Sequence, residues 1–344
     1  MSLALRKEFA ANAQQLRVMN EQYKHLNAVF REGSAKDLQG LLNSFGTNAA
    51  RTPAEAYREF DLTSKIDMVP AGEFATLTRL MQKSRSVNIG KEVFEYRQTS
   101  NMDQGQSSMS GQVGVDLDKV AEKYAGTVVP IHDKGFGRRW RAIEAMRSDG
   151  YDALVDDARE ARRALMGTMN SYLWDGNANL SLKGSKWLGI KNDPTVATAT
   201  IAVDLSAAAT TPEEIRSEVS RIRDILYITN NCTNPLRLGV SREILSNWER
   251  AFSTADGTFG TIAQFVGQLR GISEIYEDSE LVGNELAMYW DDQEGFHPVV
   301  GMGMASYAVP RTMPNSDHSF IMMAAVGFLA KTDYEGRKCA LYGS

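Results

Sequence analysis

Residues 86–140 decide the fold, and they read SVNIGKEVFEYRQTSNMDQGQSSMSGQVGVDLDKVAEKYAGTVVPIHDKGFGRRW. Residues 87–89 and 93–97 alternate apolar and polar side chains, as a β-strand does. Residues 99–114 are polar and glycine-rich, with Val113 as their one aliphatic side chain, and β-branched residues resume over 115–131. Two strand-like segments joined by a polar tip predict a long β-hairpin over residues 86–131.

This hairpin has too few apolar residues to build a core of its own. A two-stranded ribbon is marginally stable in water by itself. We therefore expect the hairpin to lie on another subunit. The alternative is an ordinary mobile hairpin at the protein surface.

A strong helical pattern follows the hairpin. It begins after Asp149-Gly150 and ends at Asp175-Gly176, which predicts a helix over residues 151–174. At about 1.5 Å per residue such a helix is about 36 Å long. Its small apolar residues suit close packing against a sheet. The predicted apolar face contains Leu154, Ala158, Ala161, Leu165, Met169 and Tyr172.

The remainder of the chain predicts a compact unit of helices and strands. Thr211-Pro212-Glu213-Glu214 has the pattern of a capping box with proline at the first helical position. Ser241 is predicted to cap a second helix, whose apolar face includes Phe252. A third helix is predicted over residues 261–269. Strands are predicted over residues 236–240, 272–276, 286–290, 298–309, 320–331 and 338–342.

The first 32 residues predict one long amphipathic helix. Its apolar side chains recur at spacings of three, four and seven, and such a stripe has to be buried against the protein's own body or a neighbour. Residues 36–68 are broken by Gly46 and Pro53 and are expected to form a connecting arm. The stripe consists of Leu5, Phe9, Leu16, Met19, Tyr23, Leu26 and Phe30.

The composition excludes several classes of protein. The chain has 344 residues, of which 43% are hydrophobic and 24% are charged, and its formal net charge is −5. These values argue against wholesale disorder and against a strongly basic nucleic-acid-binding protein. No stretch approaches the roughly 20 apolar residues of a membrane span, and no signal-peptide pattern is present. We expect a soluble intracellular protein with about two domains or one elaborate domain.

Cys232 and Cys339 are the two cysteines of the sequence. Two cysteines this far apart indicate neither a disulfide framework nor a zinc site. We expect two free thiols that pack as small hydrophobic side chains in a reducing compartment.

No catalytic constellation is recognisable. His132 and Asp133 are adjacent in a predicted strand, so their side chains should point to opposite faces. Gly135-Phe136-Gly137 lacks the third glycine of a dinucleotide-binding fingerprint. We therefore predict no enzyme activity, no cofactor and no metal. The alternative is a cytoplasmic α/β enzyme with an unrecognised site that involves His132, Asp133 and Arg139.

Three arginines surround an aromatic residue in the segment Arg138-Arg139-Trp140-Arg141. The planar guanidinium group of arginine matches the geometry of a carboxylate. We expect these arginines to pair with carboxylates, either within the subunit or across an interface.

The order of these parts resembles the major capsid proteins of tailed bacteriophages, whose Hong Kong 97-type fold is shared by bacterial encapsulins. Lys134–Ala142 is similar to the family's strand that leads out of its extended loop, and Asp149–Trp174 is similar to its spine helix. The segments 238–245, 269–272 and 286–289 are similar to the strand–helix–strand succession of its axial domain.

This resemblance implies an α+β fold with six parts. They are an N-terminal helix and arm (1–66), the start of the peripheral domain (67–85), an extended β-hairpin loop (86–131), the peripheral domain with its spine helix (132–211), the axial domain (212–310) and returning peripheral-domain strands (311–344).

The resemblance also implies a structural function. The chain would self-assemble into the pentamers and hexamers of an icosahedral phage head that encloses double-stranded DNA. Its partners would be copies of itself, a portal protein, scaffolding or decoration proteins, and the packaged DNA through weak contacts, with no membrane. It would be made in the bacterial cytoplasm and reside in the virion. The alternative within this fold is the shell of an encapsulin-type nanocompartment.

A set of charged, aromatic and aliphatic residues is expected to form the contacts between subunits. The set consists of Phe9, Leu16, Tyr23, Lys91, Glu95, Arg97, Arg138, Arg139, Trp140 and Arg141. Lys91 is also a possible donor for the Lys–Asn isopeptide bond that some family members form, although nothing in the sequence marks an acceptor.

Overall fold

The computed structural model describes residues 17–18, 20–25, 67–105, 107–110, 114, 117–149, 153–253 and 259–344. The chain divides into two units, Met1–Lys65 and Ile66–Ser344. The described residues of the first unit are helical, in agreement with the helix predicted there. The rest of that helix, including Phe9 and Leu16, and the arm before residue 67 lie outside the described residues.

The second unit contains helices and strands that are numbered here in chain order. The helices are α1 (Ala75–Met81), α2 (Trp140–Asp149), α3 (Ala153–Trp174), α4 (Pro212–Asp224), α5 (Arg242–Trp248) and α6 (Ile262–Gly267). The strands are β1 (Arg85–Ser86), β2 (Val93–Thr99), β3 (Glu122–Val128), β4 (Ile131–Arg138), β5 (Ser181–Leu182), β6 (Ser185–Lys186), β7 (Ala197–Ala199), β8 (Leu236–Val240), β9 (Ala251–Ser253), β10 (Phe259–Thr261), β11 (Ile272–Glu277), β12 (Leu286–Tyr289), β13 (Phe296–Ala308), β14 (His318–Ala330) and β15 (Ala340–Gly343).

A four-stranded sheet with the order β1-β13-β14-β4 packs against α3. α3 follows the helix predicted over residues 151–174. Its predicted apolar face is buried at Ala161, Leu165, Met169 and Tyr172, whereas the side chains nearer its start are only half-buried. Alternate residues of β14, such as Phe328, join these side chains in one core cluster. The sheet and α3 therefore form the first of two cores.

The predicted hairpin is present as β2 and β3. The two strands are antiparallel and pair from Val93 with Val128 to Thr99 with Glu122. The base of the hairpin covers the face of the four-stranded sheet opposite α3, where Phe94 and Tyr96 pack with Val129, Val299, Ala325 and Leu329. The hairpin is thus attached to its own subunit at its base.

A five-stranded sheet with the order β11-β8-β12-β15-β7 forms the centre of the second core. The strands of this sheet do not all lie between residues 212 and 310, the predicted boundaries of the axial domain. β7 and β15 belong to this sheet although they lie outside that range, and all of β13 lies within the range but belongs to the four-stranded sheet. The alternation of side chains predicts that a segment forms a strand. It does not predict which strand that segment pairs with, because pairing depends on hydrogen bonds between segments far apart in sequence.

The helices around the five-stranded sheet begin where local signals predicted. Thr211 accepts a hydrogen bond from the Glu214 amide in a complete capping box, and Ser241 caps α5. Phe252, which was predicted on the face of that helix, instead lies in β9, because α5 ends at Trp248. There its ring lies 5.0 Å from the ring of Phe265.

The prediction of two free thiols is wrong. Cys232 and Cys339 form a disulfide that joins residues separated by 107 positions. Cys232 follows the π-helical turn Ile225–Thr229 that extends α4, and Cys339 directly precedes β15. The sequence does not indicate that the two cysteines are close, because they are far apart along the chain. They meet only because β15 pairs with β12, which brings the end of the chain to this position.

Candidate subunit-contact surfaces

The tip of the hairpin projects beyond its paired strands. The Ser100 amide donates to the Ala121 carbonyl at 2.9 Å, just past the last strand pair. Beyond this point the described residues are exposed, except for the half-buried Val120, and they include large apolar side chains: Met102 is 57% exposed and Leu117 is 89% exposed. Single exposed apolar side chains are common on protein surfaces, so it is their combination with the projection of the tip that makes the tip a candidate contact surface.

The predicted contact residues of the hairpin lie on its outward face. Glu95 and Arg97 are exposed, whereas Phe94 and Tyr96 face the subunit. Lys91 is also exposed and precedes β2. The outward face also includes Tyr124, which is 68% exposed and pairs with Arg97. Sequence reasoning did not select this tyrosine, because strand alternation assigns its face only after the register is known.

A turn of the same subunit supports the inner face of the hairpin. The Tyr96 hydroxyl accepts a hydrogen bond of 2.8 Å from the Thr332 amide, and the Gln98 side-chain amide donates to the Thr332 carbonyl at 2.8 Å. The Lys123 ammonium lies 4.0 Å from the centre of the Tyr334 ring. This turn was not singled out from the sequence, because nothing local indicates that it meets the hairpin.

The arginine segment divides between an internal and an exposed part. Arg138 pairs with Asp157 of α3, and its Nη2 donates to Oδ1 at 2.8 Å. This contact fulfils the prediction of a carboxylate partner within the subunit. Arg139 and Arg141 are exposed, and Trp140 is 40% exposed with its amide bonded to Asp317. Arg138 therefore fastens β4 to α3, and the three residues after it face outward.

A groove of about 720 Å³ borders the same segment between β4 and α3. β4 is the last strand of its sheet, so its outer edge has no strand partner in the part of the chain that the structure describes. Charged side chains of both signs line the groove, among them Lys134, Arg139 and Glu160. An unpaired strand edge beside charged groups is a surface that another extended segment can join.

His132 and Asp133, which the enzyme alternative placed in one site, lie on opposite faces of β4. His132 is buried and its Nε2 lies 3.2 Å from the Val326 carbonyl oxygen, whereas Asp133 on the opposite face is exposed. Burial lowers the pKa of His132. The acid–base pair considered from the sequence is therefore not assembled. Among the described residues no group of histidine, cysteine and carboxylate side chains is arranged to hold a metal ion.

No helix among the described residues combines the length and the apolar character needed to cross a bilayer.

Residues 48–343 match the model of a protein family described as "Family of unknown function (DUF6260)". The chain belongs to this family. No curated protein matches this DUF6260 member by sequence.

Solved structures match the DUF6260 fold over most of its length. The capsid chain of Myoviridae phage XM1 matches with a TM-score of 0.62 at 9% identity, over 86% of this chain and 100% of that chain. A chain of Microbacterium phage Oxtober96 matches with a TM-score of 0.58 at 10% identity, over 86% and 99%. A virus-like particle from Pyrococcus furiosus matches with a TM-score of 0.50 at 16% identity, over 78% and 91%.

These matches identify the architecture of the DUF6260 chain. The solved chains that share it include the capsid of Myoviridae phage XM1 and the capsid of a GTA particle. The α+β fold predicted from the sequence, that of the Hong Kong 97-type capsid proteins, is therefore confirmed.

Proposed function

We propose that this protein is the major capsid protein of a tailed bacteriophage or a phage-like particle, and that it self-assembles into a closed icosahedral shell. The observation that carries the proposal is the match to the XM1 capsid, which spans that whole chain and 86% of this one. The fold also supplies the extended elements that a shell needs, among them the hairpin of β2 and β3.

The surfaces on the second unit suit repeated contacts between copies. A projecting hairpin at one place and an open strand edge at another form a heterologous pair, and such contacts close into rings when the rotation is right. Obligate interfaces usually bury about 2,000 Å² or more. We assign Lys91, Glu95 and Arg97 to one side of this contact, and the exposed segment Arg139–Arg141 to another. Phe9, Leu16 and Tyr23 are assigned to a separate contact of the N-terminal helix that the sequence predicts.

The interior of the proposed shell holds double-stranded DNA through weak contacts. The chain carries a formal net charge of −5, and a mildly acidic wall does not bind phosphate tightly. Weak binding leaves DNA free to enter and leave. A portal protein and, where they exist, scaffolding and decoration proteins complete the proposed set of partners, and the mature location is the virion.

The proposal is tested by the mass and shape of the purified protein. Size exclusion with light scattering, followed by negative-stain imaging, should detect closed particles of megadalton mass. If the protein stays a monomer or dimer, the measurement is repeated after co-expression with the neighbouring structural genes of its source. A small species under both conditions would contradict the capsid function.

A second candidate is the shell of an encapsulin-type compartment that holds a protein cargo. The similarity to the Pyrococcus furiosus virus-like particle, at 16% identity over 78% of the chain, favours it. The contents of the particle distinguish the two candidates. Nuclease-protected DNA of uniform length with a portal protein supports the phage capsid, whereas a single co-purifying cargo enzyme supports the compartment.

A further inference from the structure

The turn Thr332–Lys338 lies between the hairpin and the five-stranded sheet. Thr332 and Lys338 form an isolated antiparallel bridge at its base. The Asp333 amide donates to the Arg337 carbonyl at 3.2 Å, and Gly336 adopts a positive φ of 80°, which favours glycine. After Lys338 and Cys339 the chain enters β15 of the five-stranded sheet. We call residues 332–338 the support turn.

The support turn holds the middle of the hairpin from one side. Thr332 exchanges hydrogen bonds with Tyr96 and Gln98 of β2, and the Gln98 side chain also reaches the Thr332 hydroxyl at 2.8 Å. Lys123 of β3 lies over the ring of Tyr334. Both strands of the hairpin therefore contact the support turn, so the direction of the hairpin depends on where this turn lies.

The support turn is itself fastened from the other side by the disulfide. Cys339, the residue after the turn, is joined to Cys232, with their Cα atoms 5.5 Å apart. Beside this link the Lys338 amide donates to the Asn230 side-chain oxygen at 3.0 Å. The segment 230–232 is thus the anchor of the support turn, and the disulfide is its covalent part.

We propose that Cys232 and Cys339 form a redox lock that sets the freedom of the hairpin. With both thiols reduced, the support turn keeps its connections to β14 and β15 and the hydrogen bonds that Lys338 donates to the Asn230 side-chain oxygen and the Val196 carbonyl. It loses its covalent link to Cys232, so the turn and the hairpin that it supports gain freedom to move. With the disulfide formed, the support turn and the hairpin are fixed in the arrangement that the structure displays. The proposal concerns the single subunit and does not depend on the proposed capsid function.

The oxidant in this proposal is a small-molecule disulfide such as oxidised glutathione. Cys339 loses its proton, and its thiolate attacks the glutathione disulfide, which forms a mixed disulfide and releases one glutathione thiolate. The Cys232 thiolate, after losing its proton, then attacks the Cys339 sulfur and releases the second glutathione thiolate. Two protein thiols are oxidised, and one small disulfide is reduced to two thiols.

The surroundings of the two sulfurs suit this order of events. Cys339 is half-buried and lines a groove of about 530 Å³ that is open between the hairpin and the support turn. Cys232 is only 2% exposed and lies in the second core. A small disulfide therefore reaches Cys339 first, and Cys232 acts as the resolving thiol.

In a shell the lock leaves the hairpin mobile before assembly and fixes it afterwards. Of the consequences of the lock, this one alone rests on the proposed function. A reducing cell interior keeps the thiols reduced, so a newly made subunit can adjust its hairpin to a neighbour. Release into an oxidising medium then closes the lock in the finished particle.

Hydrogen exchange of the unassembled full-length chain tests the lock. The protein is equilibrated with reduced or with oxidised glutathione, and exchange is followed by mass spectrometry in β2, β3 and β8. We expect amides of β2 and β3 to exchange on the order of tenfold faster in the reduced protein, since their support is lost locally, while β8 is little changed. Equal exchange of the hairpin in both buffers, or loosening confined to β8 and its surroundings, would overturn the proposal.

Two variants distinguish the effect of the disulfide on the hairpin from a general loss of stability. Cys339→Ser should display the fast exchange of the reduced hairpin in both buffers. Tyr96→Phe keeps the aromatic ring but removes the hydroxyl that Thr332 contacts, so hairpin exchange should rise in the oxidised protein towards that of the reduced one, and change little in the reduced protein, while the disulfide still forms. A hairpin that remains protected in oxidised Tyr96→Phe to the wild-type degree would contradict transmission through the support turn.

Discussion

His297 couples the stability of the fold to pH. Its side chain is 0% exposed in β13 and lies near the positive charges of Lys331 and Arg85. Burial, followed by these two charges, lowers the pKa of His297 from 6.5 to about 4, although Asp292 acts in the opposite direction. A neutral imidazole is therefore maintained in the folded protein under mildly acidic conditions.

This burial predicts a loss of stability on mild acidification. Below about pH 6.5 the unfolded chain binds a proton at His297, whereas the folded chain does so only near pH 4. The free energy of unfolding should therefore fall through this window by about 3 kcal/mol from this group, with no further loss below it. Urea unfolding of wild type and His297→Leu between pH 7 and 4 measures the difference. Identical pH slopes in the two proteins would contradict the role of His297.

The arginine segment predicts different effects for neighbouring residues. Arg138→Ala removes the partly exposed pair with Asp157 and should lower the free energy of unfolding by about 0.5–1 kcal/mol. Arg139→Ala alters an exposed side chain of the proposed contact and should leave the melting temperature unchanged. If Arg139 lies at an interface, the protein concentration needed for assembly should rise on the order of tenfold.

Thermal unfolding and light scattering of the two variants check this contrast. Each variant is the control for the other, because they differ by one position along the chain and remove the same charge. Unchanged assembly of Arg139→Ala would remove this residue from the proposed contact surface.

At the scale of elements, a shortened hairpin should impair assembly of the shell without impairing folding of the subunit. Replacing residues 101–120 by Asn-Gly joins Ser100 to Ala121, whose backbones are already bonded at 2.9 Å, through a turn that suits a hairpin. The described residues of this segment are not buried, so the melting temperature should change by no more than about 2 °C. We expect a folded subunit that forms no shells.

Melting curves and negative-stain images distinguish the outcomes for this shortened hairpin. Gln104→Ala with Ser107→Ala changes two exposed residues but keeps the length of the tip, and it should assemble as wild type does. Normal shells from the shortened variant would mean that the tip makes no essential contact.

Elements were predictable from the sequence where their signals are local. The capping box at Thr211–Glu214, the cap at Ser241 and the alternation in β2 depend on residues a few positions apart, and the structure contains all of them. The partners of strands are not encoded in this way. The residues of β15 have the pattern of a strand, but only the assembled sheet places them between β12 and β7.

The contact surfaces were predictable to a smaller extent for the same reason. The hairpin and the arginine segment are recognisable in the sequence by their composition. That Arg138 turns inward to Asp157 while Arg139 remains exposed depends on the packing of β4 against α3. The approach of Cys232 and Cys339 likewise follows from sheet order, which a separation of 107 residues does not reveal.

At the scale of the whole molecule, one sheet serves both cores. In β12, Ala287 and Tyr289 belong to the first core, and the alternate residues Leu286 and Met288 belong to the second. β15 is divided in the same way. Neither core can lose its packing without exposing a face of the shared sheet, so the two should unfold together even though a chain of this size often unfolds in stages.

Fluorine NMR of the shortened-hairpin variant, labelled with 5-fluorotryptophan, tests this cooperativity. Trp187 reports on the first core and Trp248 on the second, and both are buried. Replacing each tryptophan singly by phenylalanine assigns its signal. During a urea titration the folded signals of Trp187 and Trp248 should disappear with the same midpoint, because the shared sheet transmits the loss of either core. Two separate midpoints would mean that β12 and β15 remain folded on one core alone, and the five-stranded sheet would then be an independent domain.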